Sequence, residues 1–255
     1  MSLLLAFSWF FPIPGDDLQY ADPAARARAL VLMPLFAPLV GFLVYGAHVV
    51  LVRSVPLIPA GFEAAVLLLA YGLLTGLRPL RALAEALGNP NAKAAYLSTS
   101  LVTLVILAVL FLEREAMALF LASYKDLTLP VMALFLAWPV SGRWSSLLVT
   151  QTFASDESLA AAGKTAPDVA EVRPAAVVFM TSLLLLGLLL LLEPIYVLAI
   201  LPTGLIGAVI AYLISRRDPE LSRRVVADAA AGATELIYLF VAAGLTLRPN
   251  LGNLG

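Results

Sequence analysis

The chain contains no cysteine and a single histidine, His48, among 255 residues. Disulfides, thiolate catalysis and cysteine-ligated metals are thereby excluded, and a histidine-rich metal site cannot be assembled. Charge is scarce as well. Charged residues make up 13% of the sequence, about half the fraction of an ordinary soluble domain, and the formal net charge is −1. That balance provides no whole-molecule attraction for nucleic acid. No convincing internal repeat and no soluble domain or linker is visible.

Apolar side chains fill the space instead, at 62% of the sequence. They gather in blocks of roughly 17–25 residues, the length a helix needs to cross about 30 Å of hydrocarbon. The expected fold class is therefore an all-α, polytopic helical membrane bundle, with residues 1–255 forming one integral membrane domain. The opening "MSLLLAFSWFFPIPGDD" has no basic n-region and no small-residue cleavage site, so it does not read as a signal peptide. Its apolar run stops at Pro12 and Pro14 and is too short to span, which suits an interfacial or re-entrant segment. "DPAARARA" (Asp22 to Ala29) then reads as a helix start leading into the first span.

Nearly uncharged segments fall at 29–52, 58–77, 95–112, 117–141, 174–192, 194–215 and 230–247, which predicts about seven transmembrane helices with short interfacial or re-entrant helices besides. The polar loops lie near 78–94, 155–173 and 216–229. Arg78, Arg81 and Lys93 occupy the first, and Arg216, Arg217, Arg223 and Arg224 the last. Positive residues favour the cytoplasm, so these loops and the N-terminus are expected inside and the C-terminus outside. This count requires 142–154, "GRWSSLLVTQTFA", to form a half-helix or interfacial helix that does not cross. Gly72 and Gly76, four apart, suit a close helix–helix contact, although chance spacing is an equal reading.

Polar residues inside apolar runs are the remaining site candidates. Lys125 and Asp126 fall in the middle of an expected span, where ionisable groups are costly and often functional, or else mark a break between two shorter helices. Asp228 and Glu235 are seven residues apart, two helical turns, and so share one side of the last span. Arg143 is either their partner or a membrane-edge anchor. His48 reads as a hydrogen-bonded packing residue. Trp9, Trp138 and Trp144 read as interfacial aromatics.

Several stretches, in order, resemble the cobalamin synthase family, the membrane enzymes also called adenosylcobinamide-GDP ribazoletransferases. "FFPIPG" (Phe10 to Gly15) is like that family's opening Ile-Pro-Val-Pro stretch, and "MPLFAPLVGFLVYG" (Met33 to Gly46) is like its first span. "PVSGRWSSLLV" (Pro139 to Val149) resembles its Arg-containing segment, with Arg143 on the family's Arg. "SRRVVADAAAGATELIYL" (Ser222 to Leu239) resembles its near-terminal Gly-Gly-x-Thr-Gly-Asp…Glu motif, with Asp228 and Glu235 on its acids. The resemblance implies a cytoplasm-facing site that uses magnesium to join cobinamide-GDP to a ribazole or ribazole phosphate with release of GMP. Phosphoryl transfer needs a divalent cation to neutralise charge, and Mg²⁺ takes carboxylate ligands.

The family supplies those ligands after its second span with Gly-Gly-Leu-His-Leu-Asp-Gly-Leu-Ala-Asp-Thr-Ala-Asp-Gly. Here "GLLTGLRPLRALAEALGNPN" (Gly72 to Asn91) stands in its place, with Arg78 on the His and Leu80, Ala84 and Leu87 on the three Asp. Glu85 is one residue from an acidic position, and in "NAKAAYLS" (Asn91 to Ser98) Lys93 keeps a basic residue without the family's neighbouring Asp. A guanidinium in place of a carboxylate repels a cation, and at an effective dielectric of about 20 a charge about 4 Å away is worth several kcal/mol. Arg78, Arg81, Lys93 and Arg143 suit phosphate oxygens; for Arg78 and Arg81 cytoplasmic anchoring is the favoured reading.

The resemblance and its missing acids together lead to the expectation of a membrane protein with an eroded catalytic site. Its role would be structural, regulatory or corrinoid-binding, in an assembly with other membrane subunits or with copies of itself in the lipid bilayer. The alternatives are an active, magnesium-dependent ribazoletransferase using Glu85, Asp228 and Glu235, with Asp156 and Glu157, and a transporter or channel with Lys125 and Asp126 on its path. In the first case no metal is required, and any metal held would fall to Asp228 and Glu235.

Overall fold

A computed structural model describes residues 23–55, 57–87, 95–124, 128–154, 193–218, 221 and 223–247, together with 181, 183 and 187. All regular structure among them is helical: α1 (Pro23–Ser54), α2 (Ala60–Thr75), α3 (Arg78–Leu87), α4 (Ala95–Ser123), α5 (Leu129–Ala154), α6 (Pro194–Leu198), α7 (Ile200–Arg217) and α8 (Arg223–Thr246). Three stretches among the described residues are long and apolar enough to cross a membrane, Leu35–Ser54, Pro194–Arg217 and Val225–Thr246. A fourth is added if α2 and α3, which meet at 88°, form one broken span. These apolar helices are compatible with an integral membrane protein. Of the seven expected spans, 174–192 lies outside the described residues apart from 181, 183 and 187.

α5 is the hub. It packs most extensively on α8, α1 and α7, and from Val131 to Thr150 only Met132, Leu136 and Leu148 are less than fully buried. A helix apolar on all sides belongs at the centre of such a bundle. Pro139 inside α5 cannot donate to the Phe135 carbonyl, and Gly41 of α1 closes on that carbonyl, where a Cβ would collide with it. Around the outside, Leu69, Leu73, Leu104, Phe111 and Leu213 are well exposed, an apolar girdle suited to lipid and costly in water.

Two apolar clusters mark the two ends of the bundle. Leu80, Leu83 and Ala86 of α3 join Val149 near the end of α5, Ile214 near the end of α7 and Val226 near the start of α8. The basic ends carrying Arg78, Arg81, Arg216 and Arg217 therefore share one end. At the other, Tyr124 and Tyr196 hydroxyls meet at 2.8 Å, the Tyr238 hydroxyl donates to the Tyr196 carbonyl at 3.0 Å, and Ser123 Oγ donates to Thr246 Oγ1 at 3.2 Å.

Three expectations are corrected. The separate spans at 95–112 and 117–141 are not found, because α4 runs unbroken to Ser123 through Glu113, Arg114 and Glu115. Those charges are accommodated within the helix: Glu113 is buried, Arg114 pairs with Glu115, and Arg114 Nε donates to the Gly61 carbonyl at 3.1 Å. Residues 142–154 are not a separate half-helix but the second half of α5. Thr150 Oγ1 bonds back to the Leu147 carbonyl at 2.8 Å, as Ser141 Oγ does to the Trp138 carbonyl at 2.7 Å, so these polar residues do not end the helix. Gly72 and Gly76 do not seat a neighbouring helix. Gly76 (φ 64°) and Leu77 (φ 55°) are both left-handed and turn the chain from α2 into α3. The backbone N–H groups of both donate to the Gly72 carbonyl, and a Cβ on Gly72 would meet Leu77 Cδ2 at 2.7 Å.

Candidate functional site

The buried charge of the bundle converges where α2, α4, α5 and α8 meet. α5 contributes Arg143, 1% exposed, whose Nη1 donates to Asp228 Oδ1 of α8 at 3.3 Å. Two turns further along α8, Glu235 is equally buried and feels the charges of both Arg143 and Asp228. The heptad spacing of Asp228 and Glu235 thus directs both acids toward α5. Gly142 makes room for the second: a Cβ there would stand 2.6 Å from Glu235 Cγ and 2.8 Å from its carboxyl carbon. Arg143 is accordingly a buried ion-pair partner rather than an anchor at the membrane edge.

Two further residues complete the cluster. Glu113 of α4, 1% exposed, acts electrostatically on Glu235, and Tyr71 of α2, 5% exposed, places its hydroxyl beside the Glu235 carboxylate without reaching a well-formed hydrogen bond. Both Glu235 oxygens, Glu113 Oε1 and the Tyr71 hydroxyl are buried without a hydrogen-bond partner among the described residues. Arg143 thus faces Asp228 and Glu235, while Glu113 interacts electrostatically with Glu235. An uncompensated charge at such burial costs several kcal/mol, which makes the cluster the candidate site of the bundle.

Divalent-metal chemistry needs several hard oxygen ligands within a few ångström of one point. Among the described residues no group of three His, Cys, Asp or Glu is so arranged. Glu85 is exposed on α3, whereas Glu235 is fully buried in α8, so Glu85, Asp228 and Glu235 do not come together as a ligand set.

α3 carries the stretch that the resemblance sets against an acidic loop. Leu80, at 4% exposed, and Ala84, at 0%, face inward while Arg81 and Glu85 face outward, and Leu87 is exposed at the helix end. The apolar face seats on α8, where a Cβ on Gly232 would lie 2.7 Å from the Pro79 carbonyl oxygen. Arg78 is half-buried and has an interaction partner within the protein. Lys93, Asp156 and Glu157 lie outside the described residues, as do Lys125 and Asp126. In the chain the latter two lie between the end of α4 at Ser123 and the start of α5 at Leu129.

Elsewhere, His48 is a packing residue. Its Nδ1 lies 2.5 Å from Glu63 Oε1, both side chains are buried, and its ring tilts against Phe135. Trp138 and Trp144, expected at the interface, are instead core residues: Trp138 is fully buried against Tyr71, and Trp144 fills the space left by Gly204. Trp9 lies outside the described residues.

Sequence reasoning missed Glu113, Tyr71 and the His48–Glu63 pair. The signal for Glu113 was present: no glycine or proline interrupts Ala95–Ser123, so the acid had to sit on a helix face rather than in a loop. Compared with known proteins, the chain matches no protein-family model, no curated protein and no solved structure.

Proposed function

We propose that this chain is a membrane protein of cobalamin-synthase-like design in which the metal-dependent transfer has been lost, and that it serves a structural, regulatory or corrinoid-binding role within a membrane assembly. The observation that carries the reading is the contrast between two family-like places. Arg143 and Asp228, from separate segments that resemble the family, pair at 3.3 Å with Glu235 beside them. Leu80 and Ala84, on two of the family's acidic positions, are packed beneath an amphipathic helix. A charged skeleton persists without the carboxylates that would draw magnesium to the loop.

The basic ends of α3 and α7 lie together, which supports a cytoplasmic location for that end and for the N-terminus, and an outside location for the C-terminus. In this reading the buried cluster holds α2, α4, α5 and α8 in register. No transferase step follows from it.

The purified full chain, supplied with cobinamide-GDP, α-ribazole phosphate and Mg²⁺, is expected to release no GMP above the protein-free control, and to co-purify from membranes with other membrane subunits or with copies of itself. GMP release that disappears in Asp228→Asn would overturn the reading and establish an active ribazoletransferase.

A further inference from the structure

A groove of about 500 Å³ runs along the outside of the bundle between α2, α3 and α4. Its α2 wall extends from Ala65 to Gly76, eleven residues along one helix face and hence about 16 Å at 1.5 Å each. That is about half of a 30 Å hydrocarbon core, the depth of one leaflet. The walls are apolar, with Leu73 and Phe111 exposed along it, and glycines 72 and 76 keep its floor low.

Two guanidinium groups line the groove. Arg114 is already engaged by Glu115 and by the Gly61 carbonyl. Arg81 is different: it is exposed on amphipathic α3, at the end of the bundle that carries the other basic residues, and its side chain forms no ion pair with a described residue. An apolar channel about one leaflet deep, ending at a cation that has no ion pair among the described residues, matches the shape and charge of an anionic phospholipid.

We propose that this groove binds an anionic phospholipid from the leaflet on the α3 side, with an acyl chain laid along α2 and α4 and the phosphate on the Arg81 guanidinium. The site rests on the chain residing in a bilayer and is independent of whether transferase activity persists. The 88° bend at Gly76–Leu77 turns α3 off the α2 axis, and Arg81 on α3 closes the groove at that end.

The test uses the full chain in detergent, titrated with dioleoylphosphatidylglycerol or dioleoylphosphatidylcholine, with bound lipid counted by native mass spectrometry. One phosphatidylglycerol is expected to be retained in preference to phosphatidylcholine. Arg81→Gln should weaken that retention about fivefold, the factor corresponding to about 1 kcal/mol per basic residue at a lipid surface. Leu73→Trp, which fills the groove from an exposed position, should weaken both lipids, whereas Arg217→Gln, exposed at the same end but off the groove, should leave both unchanged. Equal retention of the two lipids, an Arg81→Gln protein indistinguishable from Arg217→Gln, retention unaffected by Leu73→Trp, or displacement of the lipid by equimolar inorganic phosphate would each overturn the proposal.

Discussion

Arg143 is the residue on which the interior most depends, because its charge is felt by Asp228, Glu235 and Tyr71 together. Removing one partner from a buried ion pair strands the other and typically costs 3–5 kcal/mol. Arg143→Met is therefore expected to lower stability by about 3 kcal/mol, measured by thermal or denaturant unfolding in detergent. The double variant Arg143→Met/Asp228→Leu is expected to cost less than the two single changes added, since neither charge is then left alone; additive losses would contradict a direct pair. Gly142→Ala should act through the same centre, its methyl displacing the Glu235 carboxylate. At this scale the sequence was informative where spacing carried the message. The seven-residue interval put Asp228 and Glu235 on one face, but left Arg143 open between their partner and a membrane-edge anchor. Glu113 and Tyr71 were not legible, because their role depends on which helices become neighbours, and periodicity within one helix carries no such information.

The elements owe their ends to a few backbone decisions. α2 stops because Gly76 and Leu77 both adopt left-handed conformations, and a side chain at Gly76 would cost about 1–2 kcal/mol. Gly76→Ala is expected to destabilise the protein by that amount, seen as a lower unfolding midpoint, whereas Gly46→Ala, with open space around its Cβ position and helical backbone, should cost little or stabilise slightly. An equal effect of the two substitutions would mean that the bend is not fixed by backbone geometry. The bend itself was hidden in the sequence, since a glycine pair four apart reads as a packing motif or as chance spacing. The boundaries of α4 and α5 were misjudged for a related reason. A Glu-Arg-Glu triplet and a Gly-Arg-Trp-Ser-Ser run look like loop residues, yet Arg114 pairs with Glu115 and the run is buried among neighbouring helices, so each helix continues where hydropathy alone would end it.

For the molecule as a whole, composition settled the class at once: so apolar a chain with so little charge had to bury its polar backbone in helices, and no strand occurs among the described residues. The number of crossings did not follow, because hydropathy cannot distinguish a broken or bent element from two spans. The absence of cysteine makes the arrangement directly testable, since each introduced thiol is the only one. Glu85→Cys and Arg217→Cys are expected to react with a membrane-impermeant maleimide only after the cells are permeabilised, and Leu247→Cys in intact cells; the reverse pattern would invert the orientation. The central claim of the proposed function is that buried Leu80 and Ala84, with Arg78 and Arg81 beside them, leave α3 without the set of carboxylates needed to hold a divalent cation. Manganese binding to the purified full chain, followed by electron paramagnetic resonance, tests it most directly. The account predicts a signal from free Mn²⁺ unchanged by protein at micromolar concentrations, and a single Mn²⁺ bound stoichiometrically and lost in Glu85→Gln or Asp228→Asn would contradict it.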